Sequence, residues 1–255
     1  MTATVIIPAR MSSTRLPGKP LLDIAGRPMV IRVWERLRRM RGIQAVVIAT
    51  PDDEVARVAR AFGADAVMTS ADCRTGTDRV AEAARKMRSD VVVNVQGDEP
   101  LIEPAHVLAA IKALRSARGA RMATLKGPLT TLDELNDHNV VKVVTDGRGR
   151  ALYFSRSPIP SVSSGRYVML PTGPKDPVGR HVGIYAFRKR FLLEFAALPR
   201  TPLERAESLE QLRALEHGHK IHVGHVGRAP TNVDSPEDLE KVRAVYRSGG
   251  TEGGR

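Results

Sequence analysis

Cysteine is almost missing from this chain. Of 255 residues only Cys73 carries a thiol, so no internal disulfide can form and a cysteine-rich zinc site is excluded. A chain of this length buries roughly 70–75% of its unfolded surface on folding and needs no covalent staple. A reducing, cytoplasmic home is the matching expectation. Aromatic residues are also scarce, at 4%, which leaves few platforms on which single-stranded nucleic acid would stack. No apolar run approaches the roughly 18 residues of a membrane span. The opening segment, Met1 to Pro8, has no basic start and no long apolar stretch; it reads as a first strand rather than a signal peptide. Walker A, G-x-G-x-x-G, helix-turn-helix and zinc-finger patterns are absent, so the P-loop and dinucleotide readings fail.

Positive charge is abundant: 40 Lys and Arg against 28 Asp and Glu leave a formal net charge of +12. One reading is nucleic-acid binding, which predicts a steep salt dependence. The other is arginine-decorated helix faces around a site for an anionic small substrate, with no nucleic acid and no membrane as partner. Charge alone does not define function, and the absent nucleic-acid motifs favour the second.

In the first half, short apolar runs alternate with helical patterns. Strands are expected at Val5–Ile7, Gln44–Ala49, Ala66–Met68 and Val91–Val95, and helices at Pro28–Met40, Asp53–Phe62, Thr77–Met87 and Pro104–Ala117. Continuous apolar strands between helices signal a parallel sheet covered on both faces. Beyond residue 120, strand patterns at 122–125, 140–144, 151–154, 182–187 and 221–226 follow one another quickly, as in a mixed sheet. Leucines and alanine at 203, 206, 209, 212 and 215 place one helix over Pro202–Glu216. Ser235-Pro236-Glu237-Asp238 marks the start of a last helix. The segment Pro158 to Val178 reads as a surface excursion and residues 248–255 as a disordered tail. The expected organisation is a single α/β domain over residues 1–247.

Three segments carry chemistry. Pro8-Ala9-Arg10 leads into Met11-Ser12-Ser13-Thr14-Arg15-Leu16-Pro17-Gly18-Lys19-Pro20. A loop after the first parallel strand, at the carboxyl end of the sheet, is where α/β proteins bind ligands. Glycine, small hydroxyls and the cations Arg10, Arg15 and Lys19 suit a triphosphate, whose charge rises as pyrophosphate leaves. In Asn94-Val95-Gln96-Gly97-Asp98-Glu99-Pro100 an apolar strand delivers Asp98 at its tip, and a hard carboxylate oxygen beside substrate phosphates is what Mg²⁺ selects. Glu99 is expected to point the other way. Asp234 supplies a carboxylate from the far end of the chain, though an acid near a helix start is also favoured by the dipole. His217, His219, His222 and His225 do not make a zinc site, because at strand period His222 and His225 face opposite sides. Cys73 has no Cys–His signature and reads as a small, partly buried residue.

Together these segments resemble the CMP-Kdo synthetase (3-deoxy-manno-octulosonate cytidylyltransferase) family, from about Val5 to Val245. Further blocks carry the likeness: Ala151-Leu152-Tyr153-Phe154-Ser155-Arg156, Arg180-His181-Val182-Gly183-Ile184-Tyr185, Pro202-Leu203-Glu204 with Leu209-Glu210-Gln211-Leu212-Arg213, and Val233 to Leu239. The resemblance implies a three-layer, Rossmann-like nucleotide-sugar transferase fold with a mostly parallel central sheet and a smaller mixed-sheet subdomain, working as a cytoplasmic homodimer. It implies that Arg10, Ser13, Arg15 and Lys19 bind the CTP phosphates, that Ala9 and Asp98 are further nucleotide contacts, and that Arg74-Thr75-Gly76-Thr77-Asp78-Arg79 reads the cytosine. Asp98 and Asp234 become the Mg²⁺ ligands, with Asp98, Lys19 and Arg10 at the chemistry. Gln96, His181, Tyr185, Glu210 and Gln211 become contacts to the acidic sugar Kdo, in a pathway to lipopolysaccharide. The expected reaction is in-line attack of the sugar's 2-hydroxyl on the α-phosphorus, one Mg²⁺ on the two aspartates and a second on the β- and γ-phosphates. Two departures stand out. Cys73 and Thr75 replace residues of the family's base-reading pattern, and Ser161-Val162-Ser163-Ser164 follows Ile159-Pro160 where the family has tryptophan and charged residues. An amino-Kdo-type sugar or another 2-keto acid sugar is the alternative acceptor.

Overall fold

The structure, a computed structural model, describes residues 2–12, 16–160, 173 and 175–249. The strands and helices in chain order are β1 (Ala3–Pro8), α1 (Met29–Leu37), β2 (Ala45–Thr50), α2 (Asp53–Ala61), β3 (Asp65–Met68), α3 (Gly76–Arg85), β4 (Val91–Asn94), α4 (Pro104–Ser116), β5 (Met122–Gly127), α5 (Leu132–Asn136), β6 (Lys142–Thr145), β7 (Ala151–Ser155), β8 (Val178–Arg188), α6 (Lys189–Ala197), α7 (Pro202–Glu207), α8 (Leu212–Glu216), β9 (Ile221–His225) and α9 (Pro236–Arg247). They form two compact units: Met1–Val107 with Pro230–Arg255, and Leu108–Ala229.

In the first unit β2 and β4 flank β1 and β3 adds beyond β2, all parallel, with Val5 level with Val46 on one side and Val93 on the other. Val5, Ile6, Ile7 and Val91 to Val93 have no exposed surface. That is the reason their runs are uninterruptedly apolar: helices cover both faces of a parallel sheet. Helix α1 buries Met29, Val30, Ile31, Val33, Trp34 and Leu37, and the Trp34 indole N–H donates to the Val46 carbonyl at 3.2 Å. Helix α9 begins as its sequence predicts: Ser235 caps it and Asp238 completes the reciprocal bond. Its Leu239 and Val242 join Leu16, Ile24, Met29, Leu101 and Val233 in one apolar cluster. The Tyr246 hydroxyl donates to the Pro100 carbonyl at 2.7 Å.

In the second unit β5 runs antiparallel to β8 and parallel to β9, while β6 runs antiparallel to both β7 and β8. The parallel and mixed sheets that the residue patterns predict are both present. Strand β8 starts at Val178, ahead of the expected 182–187, and so takes in His181. Helices α5 and α6 were not expected.

The expected helix over Pro202–Glu216 is two helices. Ser208, at φ 53°, takes the left-handed conformation and ends α7. Leu203 is 40% exposed, whereas Glu204 and Arg213 are buried. The Arg213 guanidinium donates through Nε to Glu204 Oε2 at 2.8 Å and through Nη2 to Oε1 at 2.6 Å. A bidentate pair of this kind is the arrangement in which buried charge is tolerated. It replaces the leucine stripe as the inward feature of α7. Most of the expected excursion after Pro158, including Ser161 to Ser164, and residues 250–255 of the expected tail lie outside the described residues.

Candidate functional site

Parallel strands bring their carboxyl ends to one edge, and the loops after β1 and β4 meet there. Ala9 N donates to Ala49 O at 2.9 Å, holding the exit of β1 to β2. Met11 N then donates to the Asp52 carboxylate at 2.8 Å. Gly18, at φ 66°, turns the chain back into a 3₁₀ turn at Lys19–Leu21, with Gly18 N on Met11 O at 3.4 Å. Pro20 and Leu16 are buried, so the base of the loop is fixed while Arg10 stays exposed. Ser13 and Arg15 lie outside the described residues.

On the β4 side, Asn94 is buried and its amide donates to Thr77 Oγ1 at 3.3 Å. Gly97 then passes over the end of β1: a Cβ here would stand 2.8 Å from the Pro8 carbonyl oxygen. No other residue lets the two strand ends approach so closely. Asp98 follows with its side chain 29% exposed, and Glu99 turns inward to 1%, the opposed pair expected from the sequence. The Asp98 carbonyl accepts from Val233 N at 2.9 Å. That bond seats Asp234 beside Asp98. Lys19 Nζ lies 2.5 Å from Asp98 Oδ2 and 3.2 Å from Asp234 Oδ1.

The third wall is the start of α3. Thr75 caps it, its hydroxyl accepting from Asp78 N at 3.0 Å. Gly76 sits against the Pro8 ring, where a Cβ would make ordinary contact at 3.5 Å. Arg79 is buried and donates to Thr69 Oγ1 at 2.6 Å and Ser70 O at 3.2 Å, tying down the preceding loop. Arg74 is exposed and pairs with Asp78 at 3.4 Å. Cys73 donates to Glu82 Oε2 at 3.1 Å. Burial and this neighbouring carboxylate push the thiol up to about 11, far from a nucleophile's range.

Ala9, Arg10, Lys19, Gly76, Arg79, Gln96 and Asp98 line one cavity of about 360 Å³, with Pro8, Ser12, Thr75 and Gly97. Thr77 is placed behind this wall, buried against Asn94. Two carboxylates converging on one ammonium form a pair of hard oxygen donors. Among the described residues no group of three or more His, Cys, Asp or Glu is placed to hold a metal ion. A pair of carboxylates fits Mg²⁺, which is bound through one or two carboxylates together with substrate phosphates and water.

The remaining predicted residues lie in the second unit. His181 Nε2 is 2.9 Å from Thr124 Oγ1, and that hydroxyl also faces the carbonyls of Val182 and Ile184 at 3.1 and 2.9 Å. The hydroxyl has a single hydrogen to share among these three partners. Its ring is edge-on to Phe154 at 5.0 Å and tilted against Tyr185 at 5.5 Å. Burial pushes the imidazole down to about 3. Glu210 lies 3.6 Å from Arg213. Gln211 is buried, and its Nε2 meets no acceptor among the described residues.

Sequence reasoning missed Asp52 and Glu207, and it noted Gly97 without its approach to Pro8. Asp52 was readable only as an acid before a helix. Glu207 accepts from Ser155 Oγ at 2.6 Å and Arg156 N at 2.9 Å, and nothing in its surroundings in the sequence announces that.

Comparison with known proteins places the chain in a family. The chain matches the model of the cytidylyltransferase family over residues 4–221. It is 50% identical to the 3-deoxy-manno-octulosonate cytidylyltransferase of Geobacter sulfurreducens, over 95% of this chain and 98% of that one. It is 52% identical to the enzyme of the same name from an Anaeromyxobacter species, over 96% and 97%. A solved CMP:2-keto-3-deoxy-manno-octonic acid synthetase complexed with CTP superposes with a TM-score of 0.89, at 41% identity, over 98% of this chain and all of that one. The cation-lined loop after β1, the aspartate at the tip of β4 and a likeness that runs the length of both chains place this protein in the 3-deoxy-manno-octulosonate cytidylyltransferase family.

Proposed function

We propose that this chain transfers CMP from CTP to the anomeric 2-hydroxyl of 3-deoxy-manno-octulosonate, forming CMP-Kdo and pyrophosphate. The observation that carries the reading is the meeting of Lys19, Asp98 and Asp234 beside the loop after β1, in a chain half identical to enzymes named for that activity.

The triphosphate lies along the loop between β1 and the 3₁₀ turn. Arg10 and Lys19 provide the cations, with Ser13 and Arg15 as further phosphate contacts, and charge-assisted bonds to phosphate are the strong ones. Arg74, Gly76, Thr77 and Arg79 frame the base, Arg79 through its hold on Thr69 and Ser70. Gln96, His181, Tyr185, Glu210 and Gln211 take the sugar. His181 is kept neutral by its surroundings, so it offers the sugar a neutral ring nitrogen rather than a charge. Asp98 and Asp234 would hold Mg²⁺. Bound there, the ion supplies charge neutralisation and a lowered hydroxyl pKa. The sugar hydroxyl loses its proton to water as its oxygen attacks the α-phosphorus in line and the bond to pyrophosphate breaks, with Arg10 and Lys19 stabilising the charge that gathers on the leaving group. The enzyme acts as one functional domain over residues 1–247, as a cytoplasmic homodimer, in lipopolysaccharide synthesis.

A panel of CTP, UTP, GTP and ATP, each with Kdo, amino-Kdo-type and other 2-keto acid sugars, tests the reading by pyrophosphate release. CTP with Kdo should be turned over fastest. Preference for another nucleotide, or for another sugar, would overturn the assignment.

A further inference from the structure

We infer that Lys19 is a resident stand-in for the divalent cation. In the nucleotide-free chain its ammonium holds Asp98 and Asp234 together and blocks a metal ion, and nucleotide phosphates draw it away, so the two carboxylates open to the cation only when nucleotide is present. This rests on the reading of Asp98 and Asp234 as metal ligands.

Two carboxylate oxygens lie 2.5 and 3.2 Å from a single Nζ. The place where a cation would bridge them is therefore filled by the chain's own charge. The Lys19 side chain is 14% exposed, and its backbone is anchored: Gly18 starts the turn in the left-handed conformation, Pro20 is buried and Lys19 N donates to Leu16 O at 3.1 Å. Only the flexible stem can move. It can do so without leaving the site, because Lys19 lines the same cavity as Arg10, Ser12 and Gln96. An ammonium and a divalent cation cannot share two carboxylates without placing like charges within a few ångströms. Phosphate oxygens and the metal thus both select the arrangement with Lys19 swung off the aspartates. Each must then tighten the other's binding by the same factor.

The test measures Mn²⁺ binding to the nucleotide-free protein by calorimetry and electron paramagnetic resonance. Lys19→Met should bind Mn²⁺ at least about tenfold more tightly than wild type, a modest fraction of the repulsion removed. Lys19→Arg, which keeps the charge, should stay near wild type. Mn²⁺ should raise the melting temperature of Lys19→Met and not of wild type, which also shows that the variant folds. The gain should vanish in Lys19→Met/Asp98→Asn. If Lys19→Met gains no affinity, or gains it independently of Asp98, the stand-in role is wrong. Wild type titrated with CTP and Mn²⁺ separates the two failures: an Asp98-dependent Mn²⁺ signal there leaves the ligand reading standing, and its absence removes both.

Discussion

Replacing Gly97 with alanine tests the link between backbone geometry and chemistry. The new Cβ would stand 2.8 Å from the Pro8 carbonyl oxygen and 3.6 Å from Ile7 Cγ2. The first contact is with backbone, which no side-chain rotation relieves. Overpacking of this kind costs about 1–3 kcal/mol, which at this chain length lowers the melting temperature by roughly 2–12 °C. The larger effect falls on activity. The strand end moves with Asp98 on it, away from the loop that carries Arg10 and Lys19, and a displacement near 1 Å is worth about a hundredfold in rate. Thermal unfolding and pyrophosphate release, measured beside Gly147→Ala as a control with open space around its Cβ, read both numbers. Wild-type melting together with wild-type kcat/KM in Gly97→Ala would refute the claim that the close crossing of β1 and β4 positions the site.

Further outcomes follow from other groups. Asp98→Asn should lower kcat/KM for pyrophosphate release by at least about a thousandfold while melting within a few degrees of wild type, since its side chain is partly exposed at a strand tip; near-normal turnover would remove it from the site. Glu204→Ala removes both carboxylate bonds from the buried Arg213 guanidinium, leaving Glu210 at 3.6 Å as its nearby carboxylate, and should cost about 3–5 kcal/mol in urea unfolding, while Glu204→Leu/Arg213→Met should recover most of that loss. The His181 imidazole has its folded pKa lowered to about 3 from about 6.5 unfolded. Between those values the unfolded chain binds the extra proton, so stability falls as pH drops, by up to about 1.4 kcal/mol per pH unit. His181→Gln should flatten that slope between pH 6.5 and 5, and an unchanged slope would contradict the desolvated, neutral ring. With its thiol raised to about 11, Cys73 should react with iodoacetamide at pH 8 about a hundredfold more slowly than a free thiol, and Cys73→Ala should keep wild-type turnover.

The metal and sugar roles differ in how they were reached. Asp98 could be argued from its position alone, because an apolar strand that ends in glycine and a carboxylate is a recognisable local unit. Asp234 had two readings from its neighbours, as a ligand or as an acid near a helix start. The bond from Val233 N to the Asp98 carbonyl settles its place beside Asp98. Gln96, His181, Tyr185, Glu210 and Gln211 came from resemblance, since no spacing rule links them. Gln96 lines the cavity, whereas His181 belongs to an aromatic cluster in the second unit.

What the residues determined by themselves was everything governed by short-range periodicity and capping. Continuous valine and isoleucine runs announced β1, β2 and β4, because a strand covered on both faces has no polar side to show. Ser235, Pro236 and Asp238 announced α9, because a helix start needs acceptors for its own free N–H groups. The loop from Pro8 to Pro20 stood out by its charge and its place after the first strand, and Arg10, Ser12 and Lys19 line the cavity there. What tertiary structure decided depended on partners far apart in the chain. The leucine stripe from 203 to 215 is a sound helical pattern, yet Arg213 finds Glu204 and draws both inward, and Ser208 breaks the helix to permit it. Gly97 owes its identity to the Pro8 carbonyl of another strand. Lys19 reads as one more cation in a basic loop until the fold sets it between Asp98 and Asp234. Local rules act through bonds and turns, whereas burial and charge pairing act through space, and only the folded chain says which charges share it.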